Sequence, residues 1–153
     1  MTKEQVLPAT ANARPLTRLA PMGEEPILFS EVLMSFDSLS SIIIDSAYEV
    51  HRSLGVGFLE RVYQMALAHE LGLRGLSVEI EKPIDVFYKD QKVGFYEADL
   101  LIDSYFIVEI KTCSRLIQPH IQQTKHYLKA TGFQHSLLFN FKASRLEYLR
   151  VFP

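Results

Sequence analysis

Asp99, Glu109 and Lys111 stand within two apolar stretches that meet at Asp103-Ser104. Charged side chains are rare inside sheet strands, so these three ask for a reason. Residues 93–102 and 105–111 have the composition of strands. With a three-residue connection, Asp103 to Tyr105, Asp99 falls directly opposite Glu109, and cross-strand partners share one sheet face. Lys111 lies two residues past Glu109 and points to that face as well. Two carboxylates about 5 Å apart repel each other unless a cation sits between them. A hard ion such as Mg²⁺ (or Mn²⁺) takes oxygen donors of this kind and keeps several waters. A two-residue connection would place the acids on opposite faces and abolish the site. The same register sets Glu97 opposite Lys111, which leaves open a strand-to-strand ion pair with no chemistry.

Two helical patterns add to the set. Glu60 and Tyr63 are three apart and share a helix face with apolar residues, where a lone acid is costly. The bland alternative for Glu60 is a first-turn acid favoured by the helix dipole. Gln123 and Tyr127, four apart on a later helix, also share a face. Their bland alternative is an amphipathic boundary. His120 and His126 are six apart, do not share a helix face and make a poor zinc pair, and Cys113 reads as a small hydrophobe.

Positioning these residues requires a mixed α/β sheet with helices packed on it. Apolar residues at Leu39, Ile42, Ile43, Ala47, Val50 and Leu54 predict a helix opened by Asp37 as N-cap and closed at Gly55. A second helix carries Leu59, Val62, Tyr63, Ala66, Leu67 and Leu71 and stops at Gly75. The period then changes to that of strands, the first broken by Pro83, then 93–102 and 105–111. A helix over 116–131 and strands at 134–141 and 146–152 complete the domain, 37–153. Residues 1–36 hold four of the seven prolines and read as a flexible arm.

Charge is arranged rather than abundant. The net charge is −2, yet residues 37–109 hold 13 acids against 6 bases, and 110–146 hold no acid. That second stretch carries Lys111, Arg115, Lys125, Lys129, Lys142 and Arg145. An acidic half followed by a basic half suits a cation site that faces phosphates. The bland alternative is a solvated helix face. One cysteine excludes an internal disulfide and fits a reducing compartment. No apolar run reaches the roughly 18 residues that cross a bilayer, and no secretory signal is evident at the N-terminus, so a cytoplasmic protein is expected.

Taken together the motifs resemble a known family. Gly57, Glu60 and Tyr63 spell the pattern of the GxxExxY proteins. Asp99 followed by Glu109-Ile110-Lys111 is similar to the D…(D/E)XK signature of the PD-(D/E)XK nuclease superfamily, and Gln123…Tyr127 resembles the QxxxY helix of its RecB-type branch. The resemblance implies a restriction-endonuclease-like core and Mg²⁺ or Mn²⁺ held by Asp99, Glu109 and the Ile110 carbonyl. Glu60 is implied as an acid from the first core helix, and Lys111 as the signature lysine. Gln123 and Tyr127 would fix a phosphate or the nucleophile, and Arg115, Lys125 and Lys129 the flanking backbone. Glu97 stands where members commonly carry a base. The expected activity is phosphodiester hydrolysis of nucleic acid, DNA first, by a homodimer or a subunit of a larger complex. The alternatives are a noncatalytic binding subunit of the same fold and a purely structural one.

Overall fold

A computed structural model describes the backbone from residue 29 to 153 and side chains from residue 37. Three helices and five strands follow in the order α1 (Phe29–Leu54), α2 (Glu60–Leu73), β1 (Val78–Tyr88), β2 (Gln91–Ile102), β3 (Phe106–Lys111), α3 (Gln118–Thr131), β4 (Ser136–Asn140) and β5 (Glu147–Val151). The strands form one sheet in sequence order. All neighbours are antiparallel except β3 and β4, whose parallel pairing is bridged by α3. This is the mixed α/β architecture expected from the sequence.

Alternation along β3 explains the layers. Phe106, Val108 and Ile110 pack with Ile43, Ala47, Tyr63 and Leu67 of α1 and α2. Ile107, on the opposite face, packs with Tyr127 and Leu128 of α3. A strand covered on both faces reads as a continuous apolar run, as 106–110 does but for Glu109.

The turn between β2 and β3 has the length the site requires. Ile102 pairs with Phe106, leaving Asp103, Ser104 and Tyr105 as the connection. Asp103 and Ser104 both take positive φ, 47° and 66°, and the Tyr105 amide donates to the Ile102 carbonyl. Asp103 is tied down by exchange with Ser77, whose amide donates to Asp103 Oδ1 and whose carbonyl accepts from the Asp103 amide.

Three expectations need correction. Asp37 does not cap a helix: α1 begins at Phe29, and Asp37 lies within it, accepting from Arg150 at 3.2 Å. The first 28 residues of the proline-containing segment lie outside the described residues. Pro83 does not break β1, which pairs with β2 on both sides of it. β1 is an edge strand, where a missing N–H need cost no ladder bond. Glu97 does not pair with Lys111: the β2–β3 ladder ends at Leu100 and Val108, Glu97 lies opposite Pro83 on the exposed hairpin, and Lys111 bridges to Glu109.

Candidate active site

β2 is irregular at Asp99. Leu100 packs with the α1–α2 group, yet Ala98, two residues away, packs with the α3 group. Residues two apart on a regular strand share a face, so the strand rolls over at Asp99. Neither neighbour pairs with Asp99 in the ladder, and its β1 counterpart Glu81 sits at φ 52°. Side chains replace the lost bonds. The Asp99 amide donates to Glu109 Oε1 at 3.3 Å, and the Asp99 carbonyl accepts from Gln64 Nε2 at 3.0 Å. In return, Asp99 Oδ2 accepts from the Ile110 amide at 2.7 Å. The two acids are thus interlocked, each carboxylate holding the other's strand.

Burial sets their electrostatics. Glu109 is 1% exposed, and desolvation, then the charge of Asp99, push its carboxyl far above the ordinary range, against the pull of Lys111. Lys111 Nζ lies 3.4 Å from Glu109 Oε2. Glu60, the first residue of α2, is raised by burial and by Asp99 and lowered by Lys111 and by the Thr112 amide that donates to it. The pattern around Glu60 is local and physical. Gly57 turns the chain at φ 106°, and the buried Tyr63 hydroxyl donates to the Gly55 carbonyl at 2.8 Å and accepts from the Phe58 amide. Gly57 and Tyr63 therefore fix the approach of Glu60 to the sheet.

From α3, Tyr127 is buried and its phenol is held protonated by desolvation and by Glu109. Gln123 Nε2 donates to its oxygen at 2.6 Å. Asp99, Glu109, Lys111, Gln123 and Tyr127, with Glu60 beside them, are thus drawn together from four elements.

Residues 37–151 match the PD-(D/E)XK nuclease superfamily. The chain belongs to that superfamily. No curated protein is detectably similar. Among solved structures, one titled "Crystal structure of SSO0001" is 15% identical, with 74% of this chain and 77% of that chain covered at a TM-score of 0.38, too loose a likeness to argue from.

PD-(D/E)XK nucleases generally use divalent metals. The donor chemistry here fits one, since Asp99 and Glu109 offer only oxygens and are crowded enough for a hard cation to relieve. Among the described residues, no three acids, histidines or cysteines converge closely enough to hold a metal ion, so Glu60 stands beside the pair rather than completing a trio with it.

The expected phosphate-binding bases do not form one patch. Lys129 lines a groove against the β1–β2 hairpin, whereas Arg115 lines another against β5, and Lys125 is half-buried on α3. A cavity of about 660 Å³ near the end of α1 shares no residue with the site.

Sequence reasoning missed three contributors. Gln64 is visible in hindsight as a polar residue one turn after Glu60 on the core face of α2. Burial, and then the charge of Lys111, depresses the His120 imidazole, whose Nδ1 accepts from the Ile117 amide at 3.4 Å. Asn140, fully buried, accepts from the Cys113 and Lys142 amides and donates to the Cys113 carbonyl and to Glu147. It gave no signal beyond being polar at the end of an apolar run.

Proposed function

We propose that this chain is a divalent-cation-dependent nuclease that hydrolyses phosphodiester bonds in nucleic acid, with DNA as its substrate, and that within its superfamily it is a GxxExxY protein. The observation that carries the proposal is the interlock of half-buried Asp99 with buried Glu109, with the Lys111 ammonium 3.4 Å from Glu109. Asp99, Glu109 and the Ile110 carbonyl would hold Mg²⁺ or Mn²⁺, with Glu60 as an outer acid. Such an ion, when bound, supplies Lewis acidity and neutralises charge at the scissile phosphate. Lys111 stabilises the negative charge that develops on the phosphoryl oxygens. Because Gln123 donates to the Tyr127 oxygen, the phenolic proton remains to be given to a phosphate or to position a water. Arg115, Lys125 and Lys129 hold the flanking backbone from separate places, giving affinity without sequence choice. The domain is 37–153, entered through the helix α1 that begins at Phe29. A cytoplasmic location belongs to this reading, as does a homodimer or a place in a larger complex. No helix among the described residues is long and apolar enough to cross a membrane.

A binding-only role is favoured by one observation: among the described residues, no third acid converges on Asp99 and Glu109. The deciding variant is Lys111→Ala, assayed on labelled single- and double-stranded DNA in Mg²⁺ and in Mn²⁺. Loss of a charge stabiliser of this kind costs about 3 kcal/mol of barrier, on the order of a hundredfold in rate. Cleavage is expected to fall at least that far while DNA affinity changes little. A wild-type protein that cuts nothing, with Lys111→Ala altering only the melting temperature, would establish the binding-only role instead.

A further inference from the structure

β1 and β2 are much longer than β3, and β2 pairs with β3 only from Leu100 to Ile102. The outer part of the hairpin, beyond Lys82 and Ala98, therefore projects as a two-stranded arm. Its rings face solvent: Phe87 is 61% exposed, and Tyr88 and Phe95 are comparably open. Edge strands with exposed rings are an aggregation hazard, so such a surface calls for an occupant.

A groove of about 380 Å³ runs between this arm and α3, lined by Val86, Phe87, Tyr96, His126, Lys129 and Ala130. Three features narrow what fits. Its lining holds two aromatic rings and no acid, and its floor comes from the stretch 110–146, which has no acid either. Tyr96 lies 6.1 Å from the His126 ring at 24°, a flat, stacked surface rather than an interdigitated one. Tyr96 also lies 5.3 Å from Tyr127, so one wall of the groove is packed against a ring of the candidate site. Rings beside cations suit ligands with flat faces and phosphates, and every nucleobase offers a π-face regardless of sequence. Farther out, Lys89 lies 5.5 Å over the Tyr88 ring, while Lys92, 5.7 Å over Phe95, is also ion-paired to Asp85.

We propose that this groove is a nucleobase-binding subsite, in which Phe87 and Tyr96 stack an unpaired base while Lys129 and His126 hold its phosphate, so that the substrate enters as a single strand. The ligand's identity rests on the nuclease reading above; the binding itself is separable from cleavage. A paired base presents no free face, so a blunt duplex gains nothing from these rings.

The test measures fluorescence anisotropy of a labelled oligo-dT and of a blunt duplex of equal length, without metal and with EDTA. The proteins are wild type, Phe87→Ala, Phe87→Trp and Lys129→Ala. Phe87 is exposed, so its replacement should leave the fold intact, which a melting curve checks. Stacking on one ring makes Phe87→Ala bind oligo-dT about tenfold more weakly. Phe87→Trp restores binding, Lys129→Ala reduces its salt dependence, and duplex affinity moves less than twofold in the Phe87 variants. Equal oligo-dT affinity in wild type and Phe87→Ala overturns the subsite, as does an equal loss on both probes. A wild-type dimer that Phe87→Ala converts to monomer in sedimentation also overturns it, in favour of a second copy of the chain. Cleavage in Mn²⁺ is followed in parallel. Phe87-dependent binding without cleavage sinks the nuclease reading and spares the subsite; cleavage without Phe87 dependence does the reverse.

Discussion

Gln64 tests whether Asp99 is held from behind. Its side chain is 4% exposed, donates to the Asp99 carbonyl at 3.0 Å and accepts from Arg61 at 2.8 Å. Because Asp99 is missing from both ladders, no backbone amide replaces the donor. Gln64→Met keeps the volume and removes the amide. A buried carbonyl left without a donor costs about 1–3 kcal/mol. The bond from Arg61 is lost as well, but Arg61 is half-exposed and retains Glu81, so little is added there. For a domain of this size a loss of about 2 kcal/mol lowers the melting temperature by roughly 8 °C. The functional effect should be larger in proportion. A carboxylate displaced by about 1 Å can cost a hundredfold in rate, whereas substrate affinity, set by bases elsewhere, should hold. Thermal melts paired with single-turnover cleavage would read both. Gln64→Met with wild-type melting and wild-type cleavage would show that the Asp99 backbone does not depend on this amide, and the argument for a side-chain-supported break in β2 would fail.

Two further outcomes are expected. Glu109's carboxyl is raised by burial and Asp99, so the stability it confers is full below its unfolded pKa of about 4.3 and is lost as pH rises through its folded pKa. Metal-free protein should therefore melt lower as pH rises from about 5 past neutrality, by up to about 1.4 kcal/mol per pH unit, and Glu109→Gln should flatten that slope. Calorimetry in EDTA at stepped pH checks it, and parallel slopes in the two proteins would contradict it. Ser104 sits at φ 66°, a region glycine enters freely, so Ser104→Gly should raise the denaturant midpoint by about 0.5–1 kcal/mol of stability. An unchanged or lowered midpoint would mean that the serine bears no strain there.

What could be read from the sequence was what depends on periodicity. The two-residue spacing of Glu109 and Lys111 set them on one face of β3, and the apolar run of that strand announced a strand covered on both sides. What could not be read was where one bonding pattern hands over to another. Glu97 was placed opposite Lys111 by extending a regular ladder, but the ladder stops at Leu100, where side chains take over. Pro83 was read as a break because its edge position is a property of the sheet, not of the segment. Asp37 looked like a cap because the apolar pattern starts beside it, while α1 already runs from Phe29. The run of bases after Glu109 suggested one patch, yet β5 and the β1–β2 hairpin lie against different stretches of that run, so Arg115 and Lys129 line separate grooves.

Asn140 has a consequence for how motion is distributed. The parallel pair of β3 and β4 ends at Lys111 and Asn140, where two strands running together must part. There the Asn140 amide stands in for a further stretch of backbone, satisfying the Cys113 amide and carbonyl on one side and reaching Glu147 of β5 on the other. Its hydrogen-bonding capacity is filled, two bonds accepted and two donated, so the end of the sheet is sutured by a group that carries no net charge and does not titrate. The strand bearing Glu109 and Lys111 is thus anchored whether or not an ion or a strand of nucleic acid is present. The long hairpin across the sheet is held differently, by packing of Ile84 and Tyr96 on α3: a stitch of hydrogen bonds at one end, a seam of rings at the other.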